Sequence, residues 1–282
     1  MPVASSPLSQ QALAELIERG NGCDRAFVDA LLRMDWARSN DTAQRAALSE
    51  LHAALRAAAL RAHTSLRAQI AQGSRRGPTL RRLFDAVPFF ERDHFVEEVL
   101  GIAYPPLDEV DLTSSEQMTY SPAGYDEIVH AFDLTQLGPG DSFMDLGSGL
   151  GKALLLATLL TGAQSTGVDC DGRLCEHGRA AASELCLPEV ELRHGDARAV
   201  ASADVDVVFM YLPFAGEVLA TVMQRLLDEA REPRTRSRRR FVCTGPLALA
   251  RYPELAAVGA AKSWLNVYAW REGARRQKLG RQ

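Results

Sequence analysis

Residues 141–160, DSFMDLGSGLGKALLLATLL, decide the fold of this chain. The apolar run 143–146 contains one acid, three alternate glycines follow it at once, and a helix-forming stretch begins at Lys152. Glycines so spaced let the chain leave a buried strand through a sharp turn, place bare backbone against a ligand and pack the next helix closely. The segment therefore predicts a strand, a glycine-rich turn and a helix, with a nucleotide-like ligand at the turn.

The glycine spacing separates two ligand classes. Dinucleotide-binding turns follow G-x-G-x-x-G, whereas this chain has G-x-G-x-G at Gly147, Gly149 and Gly151. Asp145, two residues before the first glycine, would repel a pyrophosphate and attract a cationic amine. S-adenosylmethionine carries an amino group and a sulfonium, so it fits this turn better. The same glycines also occur as a simple tight turn in other α/β proteins, and the acids further along the chain decide between the two.

Strand and helix patterns alternate through the rest of the chain, which predicts a parallel sheet with helices on both faces and ligands at the carboxyl ends of its strands. Acids lie at the carboxyl ends of the first three predicted strands, at Asp145, Asp169 and Asp196. Asp169 is placed to accept the two hydroxyls of a ribose, and Asp196 to accept an adenine amino group. The further strands are predicted at residues 165–168, 190–193, 204–210 and 240–244 and within 261–270.

Composition excludes several classes of protein. The formal charge of −4 over 282 residues argues against a globally basic nucleic-acid binder. Five scattered cysteines without a C-x-x-C pair predict neither a disulfide framework nor a metal site, which fits a reducing cytoplasm. Because no stretch reaches the roughly 18 apolar residues of a membrane span, and the first residues do not resemble a signal peptide, we expect a cytoplasmic protein.

The chain divides into two predicted domains. Apolar residues recur at helical intervals before residue 104, with a break at residues 73–78 and two short helices expected at 79–86 and 89–100. The predicted domains are a helical N-terminal domain over residues 1–104 and a cofactor-binding domain over residues 105–282.

Two tyrosines lie at the start of the helix that precedes the first strand. Tyr120 and Tyr125 flank a Ser-Pro pair that is typical of a helix start. A segment in this position either packs on the edge of the sheet or folds over the bound cofactor as a lid.

The motifs together resemble those of class I S-adenosylmethionine-dependent methyltransferases. The resemblance spans residues 118–271 and rests on DLGSGLG at 145–151, Asp169, Gly195-Asp196 and YLPF at 211–214. Within that superfamily the chain resembles two groups of seven-strand protein lysine methyltransferases, the non-SET histone-lysine type and the type that methylates an ATP-synthase subunit. The resemblance implies a doubly wound, mostly parallel, seven-strand Rossmann-like sheet. The implied cofactor-binding residues are Tyr125, Asp145, Gly147, Ser148, Gly149, Gly151, Lys152, Asp169 and Asp196.

The sequence departs from the family after the fourth strand. Many N-methyltransferases have Asn/Asp-Pro-Pro-Tyr/Phe there, whereas this chain has Tyr211-Leu212-Pro213-Phe214. The missing hydrogen-bond acceptor makes a nucleic-acid base an unexpected substrate. Tyr120, Tyr211 and Phe214 are the predicted residues of the catalytic face, where they would form an aromatic channel for an amine.

The sequence predicts methylation of an amine such as a protein lysine. The alternatives are a small-molecule O- or N-methyltransferase, a non-catalytic S-adenosylmethionine-binding partner protein and a dinucleotide-dependent oxidoreductase.

Overall fold

The computed structural model of the protein describes residues 61–104, 121–211, 214–231, 239–244, 252–258 and 265–270. The first of these ranges begins with helical residues 61–71. The further helices are α1 (Gly77–Asp85), α2 (Phe89–Leu100), α3 (Tyr125–Thr135), α4 (Lys152–Thr161), α5 (Gly172–Glu184) and α6 (Gly216–Arg231). The strands are β1 (Ser142–Leu146), β2 (Gln164–Asp169), β3 (Val190–His194), β4 (Val207–Met210), β5 (Arg240–Thr244), β6 (Leu255–Ala257) and β7 (Leu265–Trp270).

The seven strands form one sheet in the order β3-β2-β1-β4-β5-β7-β6. The strands from β3 to β5 pair in parallel, while β7 runs antiparallel to both β5 and β6. This arrangement confirms the predicted seven-strand, mostly parallel sheet. The direction of winding reverses between β1 and β4, and ligands of such sheets bind outside the carboxyl ends of the strands at that reversal.

Helix α4 lies in the core of the molecule. Each residue from Lys152 to Leu160 is buried, although one of them is a lysine. A helix that is apolar on all sides is stable only when it is enclosed on all sides. Here the sheet covers one side and the N-terminal helices cover the other, since Phe84 of α1 and Val96 of α2 share a hydrophobic cluster with Leu155.

The opposite face of the sheet carries a second cluster, built around α6 with Val222, Met223 and Leu226. The two clusters cover both faces of the sheet, as a doubly wound fold requires.

Helices α1 and α2 begin close to where the sequence predicts two short helices. Residues 1–60 and 105–120 lie outside the described residues, so the boundary between residues 104 and 105 stays a prediction. No helix in the described parts of the chain is long and apolar enough to cross a membrane.

Candidate active site

The glycine turn joins β1 to α4 at the carboxyl edge of the sheet. The backbone N–H groups of Gly147 and Ser148 both donate to the Val168 carbonyl, at 2.8 and 3.1 Å, which ties the turn to the neighbouring strand. Gly149 and Gly151 have φ angles of 52° and 77°, in the left-handed region that favours glycine. The sequence folds this way locally because only glycine turns so sharply between a buried strand and a buried helix.

Asp145, the penultimate residue of β1, lies two residues before Gly147 and has a buried carboxylate. Its side chain is 4% exposed. Its Oδ1 is buried and has no hydrogen-bond partner among the described residues, and the same is true of the Ser148 hydroxyl beside it. Burial first, and then the charge of Asp169, raise the pKa of Asp145 well above its usual value. A buried carboxylate with a free oxygen fits a ligand that brings a charged N–H donor, such as the amino group of S-adenosylmethionine.

Asp169 is held against the turn by backbone donors. The N–H of Gly149 donates to its Oδ2 at 2.7 Å and the N–H of Asp171 donates to its Oδ1 at 2.9 Å. Burial raises the pKa of Asp169, and these two hydrogen bonds oppose the rise. Each carboxylate oxygen keeps a further lone pair, so the residue fits the two hydroxyls of a ribose.

Asp196 differs from the other two strand-end acids because it is exposed. It accepts the backbone N–H of Arg198 at 2.8 Å and pairs with the guanidinium of the same residue. Arg198 thereby lowers the pKa of Asp196. The structure brings Asp145 and Asp169 together at the turn and leaves Asp196 at the surface.

Lys152 directs its ammonium toward α2. The side chain is 4% exposed, and Nζ donates to Asp93 Oδ1 at 2.6 Å and to Glu97 Oε1 at 2.8 Å. Sequence reasoning missed Asp93 and Glu97. Their signal is two acids four residues apart, which share one face of a helix. Lys152 thus fixes α2 to the first turn of α4.

Tyr125 faces α1. Its side chain is fully buried, packs edge-on against Phe84 with ring centroids 5.7 Å apart, and donates its hydroxyl to Asp85 Oδ1 at 2.8 Å. Burial and this hydrogen bond raise the pKa of Tyr125. Its backbone N–H donates to Asp93 Oδ1 at 2.7 Å. Tyr120, its predicted companion, lies outside the described residues.

Tyr211 follows β4 beside the glycine turn. Because Asp145 is in register with Phe209, Tyr211 lies level with Gly147 two residues further along. Burial first, and then Glu127, raise the pKa of Tyr211. Glu127, on α3, is a third residue that sequence reasoning missed.

Phe214 lies apart from Tyr211. It is 6% exposed and belongs to the hydrophobic cluster under α6, whereas Tyr211 packs against the cluster on the opposite face of the sheet. Leu212 and Pro213, between them, lie outside the described residues. Within the described parts of the chain, no group of three or more histidine, cysteine or acidic side chains could hold a metal ion.

Comparisons with known proteins bear on the same region. A family model described as "Histone methylation protein DOT1" matches residues 111–186, which include β1, the glycine turn, α4 and β2. No curated protein matches the chain.

Solved structures with similar folds include several methyltransferases. An RNA methyltransferase from Salinibacter ruber in complex with S-adenosylhomocysteine is 25% identical, with a TM-score of 0.43; the match covers 53% of this chain and 92% of that one. TrmN from Thermus thermophilus is 21% identical, with coverage of 51% and 48% and a TM-score of 0.42. Precorrin-6y C5,15-methyltransferase from Geobacter metallireducens is 16% identical, with coverage of 58% and 95% and a TM-score of 0.39. The chain spans about half the length of several other matched structures.

The family match falls on the segment that contains the glycine turn, Asp145 and Asp169. The sheet has the strand order in which such a turn forms a ligand site at the reversal between β1 and β4. The family match and the strand order together indicate an S-adenosylmethionine-dependent methyltransferase with a class I type of sheet.

Proposed function

We propose that the protein methylates an amine, and specifically the side-chain amine of a protein lysine. The observation that carries this proposal is the position of Tyr211, whose aromatic side chain follows β4 level with the glycine turn. An aromatic wall beside a sulfonium stabilises cationic groups by roughly 0.5–2 kcal/mol. The match to a family described by histone methylation supports a protein acceptor.

In this proposal the residues of the chain bind and orient the reactants. Bound S-adenosylmethionine supplies an electrophilic methyl group on a sulfonium. Asp145 would hold its amino group, since the Oδ1 of that residue is buried and has no hydrogen-bond partner in the described parts of the chain. Asp169 would hold its ribose hydroxyls, in the orientation that the N–H groups of Gly149 and Asp171 impose.

Tyr211 would shape the acceptor side and exclude water from the displacement. Its raised pKa keeps the hydroxyl protonated at neutral pH, so this side chain serves as a hydrogen-bond donor and not as a general base. An acceptor lysine must therefore give up its proton to solvent before the nitrogen attacks.

Labelling of a cell extract tests the acceptor class. The protein is incubated with S-adenosylmethionine carrying a labelled methyl group, and the products are divided into protein, RNA and small-molecule fractions. We expect label in protein, and mass spectrometry should locate it on methylated lysine. Label confined to RNA or to small metabolites would overturn the lysine proposal.

A pair of variants links that activity to Tyr211. Tyr211→Ala should lower turnover at least tenfold while S-adenosylhomocysteine binds within about twofold of the wild type, because the side chain faces the acceptor. Tyr252→Ala is the matched control, since Tyr252 packs against the cluster on the other face of the sheet. Equal losses of turnover in the two variants would contradict the role given to Tyr211.

A further inference from the structure

Glu127 brings a carboxylate to the side of the turn that Tyr211 occupies. It is the third residue of α3, and its Oε2 accepts the backbone N–H of Gly124 at 2.7 Å. Glu127 also raises the pKa of the Tyr211 hydroxyl, which follows β4. The Gly124 N–H therefore fixes a charge that acts on Tyr211.

A second carboxylate lies beside the first. A Cβ atom built on Gly124 would lie 2.7 Å from Glu127 Oε2 and 3.3 Å from Asp93 Oδ2, so both acids approach the same point from α3 and α2. Asp93 is half exposed, and its other oxygen accepts from Tyr125 N–H and Lys152 Nζ. Because Gly124 has no side chain, it leaves room for these two carboxylates to approach each other.

The local charges do not balance. Lys152 is the cation beside these carboxylates, and its ammonium is shared between Asp93 and Glu97. The nearby arginines, Arg81 and Arg92, pair with acids of their own. Glu127 therefore adds a negative charge that the ion pairs of the described residues do not neutralise.

We propose that Glu127 is a specificity-determining residue that makes the acceptor side of the site favour an amine, whose nitrogen becomes cationic as it takes the methyl group, over an acceptor that gains no charge. This inference rests on the proposed function, because it takes Tyr211 to mark the acceptor side. During transfer, positive charge moves from the sulfonium to the acceptor nitrogen. A fixed carboxylate beside that nitrogen stabilises the charge where it develops.

Two cofactor analogues provide the probe. S-adenosylhomocysteine has a neutral thioether, whereas sinefungin has a carbon bearing an amino group in place of the sulfonium and its methyl. The two ligands share the adenosine and amino-acid parts, so the ratio of their dissociation constants reports the environment of one added ammonium. Calorimetry measures both constants on the full chain.

We expect the wild type to bind sinefungin more tightly than S-adenosylhomocysteine. Glu127→Gln should reduce this preference by about fivefold, the effect of one partly solvated charge pair, and leave the affinity for S-adenosylhomocysteine unchanged. Glutamine keeps an oxygen for the Gly124 N–H, so the start of α3 is preserved. Asp133→Asn, the same loss of charge at the other end of α3, should leave the preference intact.

These measurements distinguish a failure of the Glu127 inference from a failure of the proposed function. If the wild type binds neither analogue, the cofactor site and the proposed function fail together. If both analogues bind and Glu127→Gln leaves their ratio unchanged, or weakens both equally, the inference is overturned while the proposed function stands.

Discussion

Two buried aspartates lie at opposite edges of the central strands, and their surroundings differ. Asp206 precedes β4 at the amino edge, is 9% exposed, and accepts both the N–H and the hydroxyl of Ser142 at 2.9 Å. Asp145 is the penultimate residue of β1, near the carboxyl edge; it is 4% exposed and has an Oδ1 without a partner among the described residues.

The difference distinguishes a carboxylate that the fold satisfies from one that we propose binds a ligand. A buried carboxylate is stabilising only when its oxygens are satisfied, and an unsatisfied buried group costs about 1–3 kcal/mol, more when it is charged. Ser142 donates two hydrogen bonds to Asp206, whereas no described residue donates to Asp145 Oδ1. We infer that Asp145 is retained for a ligand at some expense in stability.

The largest effect on stability is expected at the amino edge. Asp206→Ala removes both hydrogen bonds that the carboxylate accepts from Ser142 and leaves the part-buried Ser142 N–H without this acceptor, so the free energy of unfolding should fall by about 3 kcal/mol. The folded fraction should bind S-adenosylhomocysteine normally. Chemical denaturation measures the free energy of unfolding, and calorimetry measures the affinity for S-adenosylhomocysteine. A large loss of affinity in folded Asp206→Ala would contradict the purely structural role given to the acid at the amino edge.

A smaller loss is expected at Lys152. Lys152→Met removes a buried ammonium and leaves Asp93 and Glu97 facing each other, which should lower the free energy of unfolding by about 2 kcal/mol. The half-exposed side chain of Asp93 keeps this loss below that of a fully buried pair.

A combined variant provides the control for Lys152. Adding Asp93→Asn and Glu97→Gln to Lys152→Met removes the repulsion, so part of the lost stability should return. If the triple variant is less stable than Lys152→Met alone, the ion pairs with Asp93 and Glu97 do not account for the contribution of Lys152 to stability.

The pH dependence of binding sharpens the account of Asp145. Its pKa in the folded protein lies above the unfolded value, so stability falls as the pH rises from the unfolded pKa to the raised folded pKa, and levels off above it. A bound ammonium favours the charged form, so cofactor affinity should rise with pH over the same interval.

Calorimetric titrations of S-adenosylhomocysteine between about pH 5 and about pH 7 measure this slope. The wild type should bind several-fold more weakly at the acid end. Asp145→Asn should keep only the smaller slope that the raised pKa of Asp169 produces. Equal slopes in the two proteins would remove Asp145 from the cofactor site.

The smallest effect is expected at Asp196. This exposed acid is already paired with Arg198, and asparagine retains one acceptor oxygen, so Asp196→Asn should weaken S-adenosylhomocysteine binding by less than about threefold. A loss as large as that of Asp145→Asn, measured by the same titration, would show that the exposed strand end carries as much of the binding as the buried one.

The sheet and the turn are predictable from sequence because local signals specify them. The apolar run before Gly147 and the unbroken helix after it give β1 and α4, and the later strands repeat the pattern. The sequence does not locate β6, since its three residues pair only with β7 at the sheet edge.

The surroundings of the turn are less predictable because contacts between residues distant in sequence build them. Lys152 follows the turn, which suggests a cofactor contact, yet its partners Asp93 and Glu97 precede it by 59 and 55 residues. Tyr125 likewise meets Asp85, 40 residues earlier. No local pattern specifies which of several surface acids will meet a given buried side chain.

The most direct test is the stability of the wild type and of Asp145→Asn, each measured by chemical denaturation without ligand and with saturating S-adenosylhomocysteine. Asparagine removes a buried, unsatisfied charge, so without ligand the variant should be the more stable protein by about 1 kcal/mol. With ligand the order should reverse, because loss of a charged hydrogen bond weakens binding at least tenfold. A variant that is less stable under both conditions, or equally stabilised by the ligand, would contradict the claim that Asp145 is kept for the cofactor.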